Sequence, residues 1–232
     1  MSKPKLAILS GAGISAESGI PTFRDANGLW EGHDVMKVAS PHGWQSNPEL
    51  VLEFYNQRRK AALSAVPNKG HEILTELEQW YDVTVITQNV DNLHEKAGSS
   101  KVLHLHGELF KSRSTVDDSL VYQISGWELN LGDYCEKGSQ LRPNIVWFGE
   151  EVPMMDDAIR ICRAAEIFIV VGTSLVVYPA AGLLDTIRPE VPKYIIDPNM
   201  PSISPMPNLF LINKVGSIGL MEVKEQLTRS IK

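Results

Sequence analysis

The chain reads as an α/β protein: a doubly wound, Rossmann-like parallel sheet with a smaller lobe formed by two insertions. Three observations predict this. Short apolar runs alternate with amphipathic stretches along most of the 232 residues. Several runs are apolar on both faces, as parallel strands are when helices cover each side. Two segments, 24–66 and 112–142, break the alternation and read as insertions. The expected organisation is a single domain over 1–232, with its core at about 1–23, 67–111 and 143–232.

In chain order, the expected strands are "KLAIL" (5–9), "VTVIT" (83–87), "VLHL" (102–105), "NIVWF" (144–148), "IFIVV" (167–171), "KYII" (193–196) and "LFLI" (209–212). Helical patterns lie between them. Asn47 can cap and Pro48 can take the first helical position of "ELVLEFYNQRRKAAL". Further amphipathic stretches are 71–80, 153–165, 178–187 and 219–231. Residues 24–66 show loop and helix but no strand. Residues 112–142 are polar, with Leu120, Tyr122 and Ile124 alternating as in a strand.

Composition narrows the function. The chain is 43% hydrophobic and 22% charged, with a net charge of -6. That balance argues against nucleic acid as a partner, because phosphate binding needs clustered Lys and Arg. Lys3 and Lys5 precede an apolar stretch that glycines interrupt at once, so no leader is read there. Ile167–Val171 is far too short to span a bilayer, so no membrane partner is expected. Cys135 and Cys162 are the only cysteines, too few for a disulfide framework or a four-thiolate zinc site. A cytoplasmic monomer is the expectation.

"GAGISAESGIPTFRD" (11–25) follows the first strand. Gly11, Gly13 and Ala16 fit the G-x-G-x-x-G/A turn, in which backbone N–H groups approach a pyrophosphate. Gly19 and Pro21 then cut the helix short. The next stretch holds no strand ending in an acidic residue, so a standard dehydrogenase is excluded. Alone, the glycines fit a tight turn with no ligand equally well.

After the strand at 83–87, Gln88, Asn89, Asp91, Asn92 and His94 crowd its C-terminal end, where open α/β sheets collect ligands. Asp91 can also be a helix cap, which explains one residue of the five. "VLHLHGEL" places His104 and His106 on one strand face. A metal pair lacks an identifiable third ligand. A lone histidine is more often a hydrogen-bonded core residue, but Gly107 implies a close backbone approach that favours a site. "VVGTSLVVYPAAG" (170–182) is a second strand–turn–helix, and "YIIDPN" (194–199) ends a strand with Asp197 and Asn199, suited to ribose hydroxyls.

Six blocks, "GAGISAESGIPTFR", "TQNVDNLH", "LHGE", "RPNIVWFGE", "GTSLVVYPAAG" and the turn near 197, together resemble the sirtuin family of NAD-dependent protein lysine deacylases. They occur in family order and span nearly the whole chain. The resemblance implies that Gly11, Ala12, Gly13, Gly172, Thr173 and Ser174 hold the phosphates and adenosine of NAD, with Asp197 and Asn199 at a ribose. Ala16, Phe23, Arg24, Gln88, Asn89 and Asp91 would surround the nicotinamide end, the "GIPTFR" loop folding over it. It implies catalysis by His106, the general base toward the ribose hydroxyls, together with Asn89. The products would be free lysine, nicotinamide and 2'-O-acyl-ADP-ribose. Val146, Phe148, Gly149 and Glu150 would clasp an acylated lysine peptide as an added strand.

Tyr55 and Arg58, three apart on a helix, match the Tyr-x-x-Arg pair of the subgroup that removes succinyl and malonyl groups, with a small residue at Ala39. The other reading is a solvated basic helix face, since Arg59 and Lys60 follow. Where the family normally has four zinc cysteines, 107–142 holds only Cys135, and Ser112, Ser114 and Tyr134 lie near where its partners would be expected. No zinc is expected, and packing of Tyr122, Ile124, Trp127, Leu129 and Tyr134 is expected to hold the small lobe. Asp197 stands where Asn is common. Two other functions use the same residues: NAD glycohydrolase or ADP-ribosyl transfer, and a non-catalytic NAD- or ADP-ribose-binding module. The intact Asn89 and His106 argue against the last.

Overall fold

The computed structural model describes residues 2–22, 29–30 and 32–229. β1 (Lys5–Ser10) runs into α1 (Ala12–Ala16), a short helix as the sequence implies. A minimal hairpin, β2 (Leu29–Trp30) and β3 (His33–Asp34), lies where no strand was expected. α2 (Val35–Val38), α3 (Pro41–Ser46) and α4 (Pro48–Ser64) follow. Asn47 caps α4 as expected, its side-chain oxygen accepting from the Leu50 N–H at 3.0 Å. Then come α5 (Lys69–Leu77), β4 (Asp82–Thr87), α6 (Leu93–Ala97), β5 (Val102–His104), β6 (Gly107–Ser114), β7 (Val121–Gln123) and β8 (Leu141–Ile145). α7 (Met155–Ala164), β9 (Ile167–Val171), β10 (Lys193–Ile196), β11 (Leu209–Ile212) and α8 (Gly216–Arg229) complete the chain. The helix expected at 178–187 is a 3-10 stretch, Ala180–Thr186.

The main sheet has six parallel strands in the order β11-β10-β9-β1-β4-β5. The chain winds outward from β1 to β4 and β5, then crosses back to β9, β10 and β11. The winding therefore reverses between β1 and β9, and ligand crevices open at such a reversal. Alternate side chains go to opposite faces. Leu6, Ile8, Val83, Val85, Ile169 and Val171 pack under α5 and α8, whereas Ala7, Leu9, Ile86, Phe168 and Val170 pack under α7 and the 3-10 stretch.

The small lobe carries an antiparallel sheet, β7-β6-β8. This corrects two expected strands. The run expected at 144–148 pairs as β8 with β6 and not in the parallel sheet. Pro143, which has no N–H, fits there because β8 is an edge. The run at 102–105 ends its parallel pairing at His104 and re-forms as β6 two residues on. Gly107, at φ +84, makes that change of direction possible. A Cβ there would lie 2.0 Å from the Asn144 carbonyl oxygen, so its close approach is to β8.

The lobe's packing also departs from expectation. Ile124 and Leu129 are buried against Leu52, but Tyr134 is 62% exposed. A fully buried arginine takes over part of the task. Arg59 donates through Nε to the Trp127 carbonyl (2.8 Å), through Nη1 to the Leu109 carbonyl (3.2 Å), and through Nη2 to Asn56 Oδ1. Asn56 in turn donates to the Leu129 carbonyl and accepts from the Leu129 N–H. Arg59 is thus not part of a solvated basic face.

Candidate active site

At the reversal, the turns after β1 and β9 interlock. The Gly11 N–H donates to the Val171 carbonyl (3.0 Å) and the Gly13 N–H to the Gly172 carbonyl (2.8 Å). Gly172 has φ +66, and a Cβ on Gly13 would sit 2.7 Å from the Gly172 Cα. The glycines are therefore required by chain against chain. The Gly11 and Gly13 N–H groups, expected to approach a pyrophosphate, here donate to carbonyls. Gln88 bridges the crevice by donating to the Thr173 hydroxyl at 3.1 Å, while Ser174 is half-buried beside it. Ala12 is half-buried and Ala16 exposed. Phe23 and Arg24 lie outside the described residues.

The strap after β4 is held from below. The Asn89 amide donates to the Gly11 carbonyl and to the Ser15 hydroxyl, each at 3.1 Å, and the Ser15 hydroxyl donates to Asp91 Oδ2 (3.0 Å). Asp91 Oδ1 accepts the Leu93 N–H, so it is a helix cap as well. Burial raises the Asp91 carboxyl above its ordinary pKa, with the Leu93 and Ser15 bonds pulling the other way. Beneath, the Thr87 hydroxyl oxygen accepts from both the Asn89 N–H and Ser10, and Ser10 shares a 2.9 Å hydrogen bond with His94 Nε2. Ser10, Ser15 and Thr87 were not singled out from sequence. Their signal was position at the C-terminal ends of buried strands or in the following turn, where a hydroxyl needs a partner.

The two histidines are not on one strand face, since β5 ends at His104, yet both reach the strap. His106 Nδ1 lies 3.0 Å from the Gln88 carbonyl oxygen. A carbonyl only accepts, so Nδ1 carries the proton and Nε2 of the neutral ring keeps its lone pair. Burial pushes the His106 pKa down, only partly offset by the Gln88 bond. His104 has two partners: Nδ1 to the Asn89 carbonyl (2.9 Å) and Nε2 to Glu95 Oε1 (2.7 Å).

The stretch after β8 joins this site to α4. The Val146 N–H donates to the His106 carbonyl (2.9 Å) and the Phe148 N–H to the Ala39 carbonyl (3.0 Å). Gly149 is exposed at φ +91. Glu150 anchors this stretch. Its carboxylate accepts from Arg142, Arg113 and the Trp147 N–H, which hold it below the usual carboxylate range against its burial. Tyr55 and Arg58 share the buried face of α4. Trp147 Nε1 donates to the Tyr55 hydroxyl, and the Arg58 guanidinium lies 3.5 Å from the Phe54 ring centre and 4.4 Å from that of Trp30.

Asp197 is buried at the end of β10 and accepts the N–H of exposed Asn199 at 2.8 Å, capping its own turn. In the small lobe the donors do not fit a zinc ion. The Cys135 thiol donates to the Ser114 hydroxyl at 3.4 Å, and Ser112 offers only a hydroxyl. Zinc needs several thiolate or imidazole ligands, and among the described residues no group of three His, Cys, Asp or Glu is placed for one. No helix of the described residues is long and apolar enough to cross a membrane.

Known proteins match this chain in sequence and in fold. The Sir2 family model matches residues 11–179. An NAD-dependent protein deacylase of Helicobacter pylori is 54% identical, covering 96% of each chain. One from Bacteroides thetaiotaomicron is 50% identical, covering 96% of this chain and 97% of its own. A substituted Sir2 homologue in complex with ADP-ribose superposes with a TM-score of 0.90 at 36% identity, covering 99% and 94%. A Sir2 homologue–NAD complex gives 0.88 at 36%, covering 99% and 91%. A Sir2 bound to acetylated peptide gives 0.79 at 32%, covering 97% and 93%.

Proposed function

The chain belongs to the Sir2 family and removes acyl groups from protein lysine with NAD as co-substrate, and from that premise we propose which residues act and which acyl groups they take. His106 is the general base. The observation that carries this is its tautomer: the Gln88 carbonyl holds the proton on Nδ1, so Nε2 is free to receive one. NAD supplies, when bound, a ribose whose nicotinamide can leave. The acyl-lysine oxygen would take the ribose carbon that nicotinamide leaves, and Nε2 would accept the proton of a ribose hydroxyl as that hydroxyl adds to the acyl carbon. Asn89 and Asp91, fixed through Ser15, shape the floor under that ribose. Gln88, Thr173 and Ser174 line the phosphate side with Ala12. The segment at 146–149, tied at one end to His106 and at the other to Ala39, receives the acyl-lysine peptide.

The acyl group extends toward Tyr55 and Arg58, and we propose that acyl chains ending in a carboxylate, succinyl and malonyl, are accepted there. Support comes from a guanidinium bedded on two aromatic rings, a phenol beside it and a small Ala39 in the same cluster as that phenol. The protein works without zinc, its lobe held by Arg59 and Asn56.

The test is nicotinamide release and product mass with acetylated and succinylated peptides, for wild type and His106→Ala. Peptide-dependent release with 2'-O-acyl-ADP-ribose, lost in the variant, is expected. Release that ignores peptide would make the protein a glycohydrolase.

A further inference from the structure

His104 and His106 sit two residues apart, reach adjacent carbonyls of one strap, and have opposite surroundings. His106 faces a single acceptor. His104 faces two, the Asn89 carbonyl and the Glu95 carboxylate, and neither has a hydrogen to give. A neutral imidazole carries one N–H, so it can serve only one of them. Both bonds at 2.9 Å and 2.7 Å require the doubly protonated ring. Only 9% of the side chain is exposed, so water is a poor substitute for either.

We propose that His104 is a positioning residue that works as an imidazolium, clamping the Asn89 carbonyl so that the strap stays in register with His106, and that loss of its proton sets the alkaline limit of turnover. This rests on the reading of His106 and Asn89 as the reacting centre. The groups around the ring favour its charge. Glu95 on α6 touches it. Glu108 on β6 adds attraction and is paired with Lys111 at 2.6 Å, and Asp91 on the strap is a further anion. Buried His94, on α6, is the opposing neighbour. Burial lowers the His104 pKa, and the Glu95 bond and charge more than reverse it, leaving the ring above its ordinary value. Glu95 itself is held below the usual carboxylate range, against its burial, by His104. When the imidazolium loses a proton, a lone pair must face either the carboxylate or the Asn89 carbonyl, and the strap loses a restraint. His106 neutral and His104 charged would give a window of activity between their two pKa values.

The experiment uses two variants and a spectroscopic readout. Glu95→Gln lets a neutral His104 accept from the new amide while Nδ1–H still serves Asn89. The alkaline limb of kcat should flatten, with the plateau within about twofold of wild type. His104→Ala should lower kcat about tenfold, the loss of one charged hydrogen bond, with KM for peptide unchanged. Nitrogen NMR of the unliganded wild type should show both His104 nitrogens protonated at neutral pH. A ring that titrates below 6.5, or a Glu95→Gln alkaline limb superimposable on wild type, would overturn the proposal. A wild type inactive on every acyl peptide would sink the deacylase reading instead, and the NMR titration would still decide the state of the ring.

Discussion

Trp147 donates its indole N–H to the Tyr55 hydroxyl across 3.2 Å, both side chains being fully buried. The bond ties the stretch after β8 to the face of α4 that carries Arg58. It leaves the phenol its own proton to donate. Burial pushes the phenol pKa far above its ordinary value, with the Trp147 bond and Arg58 opposing, so the group stays a neutral donor throughout the working range. Arg58→Met should therefore cut kcat/KM on a succinyl peptide by the cost of an unpaired carboxylate, about 2–3 kcal/mol or roughly 30–160-fold. Acetyl turnover should change by less than about threefold, since no charge is lost there. Equal losses on both substrates would remove the acidic-acyl assignment.

The acid side of the pH profile follows from His106. The base works when neutral, and burial has moved its pKa below 6.5. Activity must therefore persist below pH 6.5 and fall only as the pH drops through that lowered value. The acid limb of kcat/KM for the free enzyme reports it. A midpoint at or above 6.5 would contradict the geometry. His106→Ala should cost about a hundredfold or more at every pH.

How far the sequence reached follows from what each signal measures. The parallel strands were legible because both of their faces are buried, which leaves an apolar run regardless of register. Gln88, Asn89, Asp91 and His106 were legible because polar groups crowd a strand end that would otherwise be apolar. Two kinds of feature were not. Strand identity in β8 was misread because membership in one sheet or the other depends on a bend at Gly107 and a partner strand far away in sequence, Gly107 pairing with Ile145. The role of Arg59 was not legible because its three acceptors are backbone carbonyls and an amide that carry no pattern of their own. The anchoring of Glu150 was hidden for the same reason: Arg113 and Arg142 reach it only through the folded lobe.

A second pH effect concerns stability. His71 and His94 are buried with ring centres 5.0 Å apart, and burial holds them neutral, pushed down to about 4 and about 3. The unfolded chain binds these protons near 6.5, the folded chain only much lower. Stability therefore falls as pH drops below about 6.5 toward 4, by about 1.4 kcal/mol per pH unit for each ring. His71→Gln isolates one ring: it can keep the contact to the Asn68 N–H, as glutamine does in a capping box, and cannot titrate. Urea midpoints between pH 7 and 5 should show a slope shallower by one proton in the variant. An unchanged slope would mean that His71 is not the titrating group.

The last prediction concerns what replaces metal in the small lobe. Arg59 is buried, and burial lowers its pKa to about 10, so it stays charged at neutral pH and its charge must be met by acceptors. It meets three, on Leu109 of β6, Trp127 beyond β7 and Asn56 of α4. Removing it leaves the buried Leu109 carbonyl and the part-buried Trp127 carbonyl without that donor, while Asn56 keeps only the Leu129 N–H. Arg59→Met should destabilise the protein by about 3 kcal/mol or more, with amide exchange accelerating first in β6 and β7. Arg59→Lys should recover only part, because one ammonium cannot span the three directions of the guanidinium fork. A chelator should leave the wild-type melting temperature unchanged, and metal analysis after dialysis should find well under one zinc per chain. A stoichiometric zinc, or a chelator-induced loss comparable to that of Arg59→Met, would return the lobe to metal and leave the arginine a secondary role.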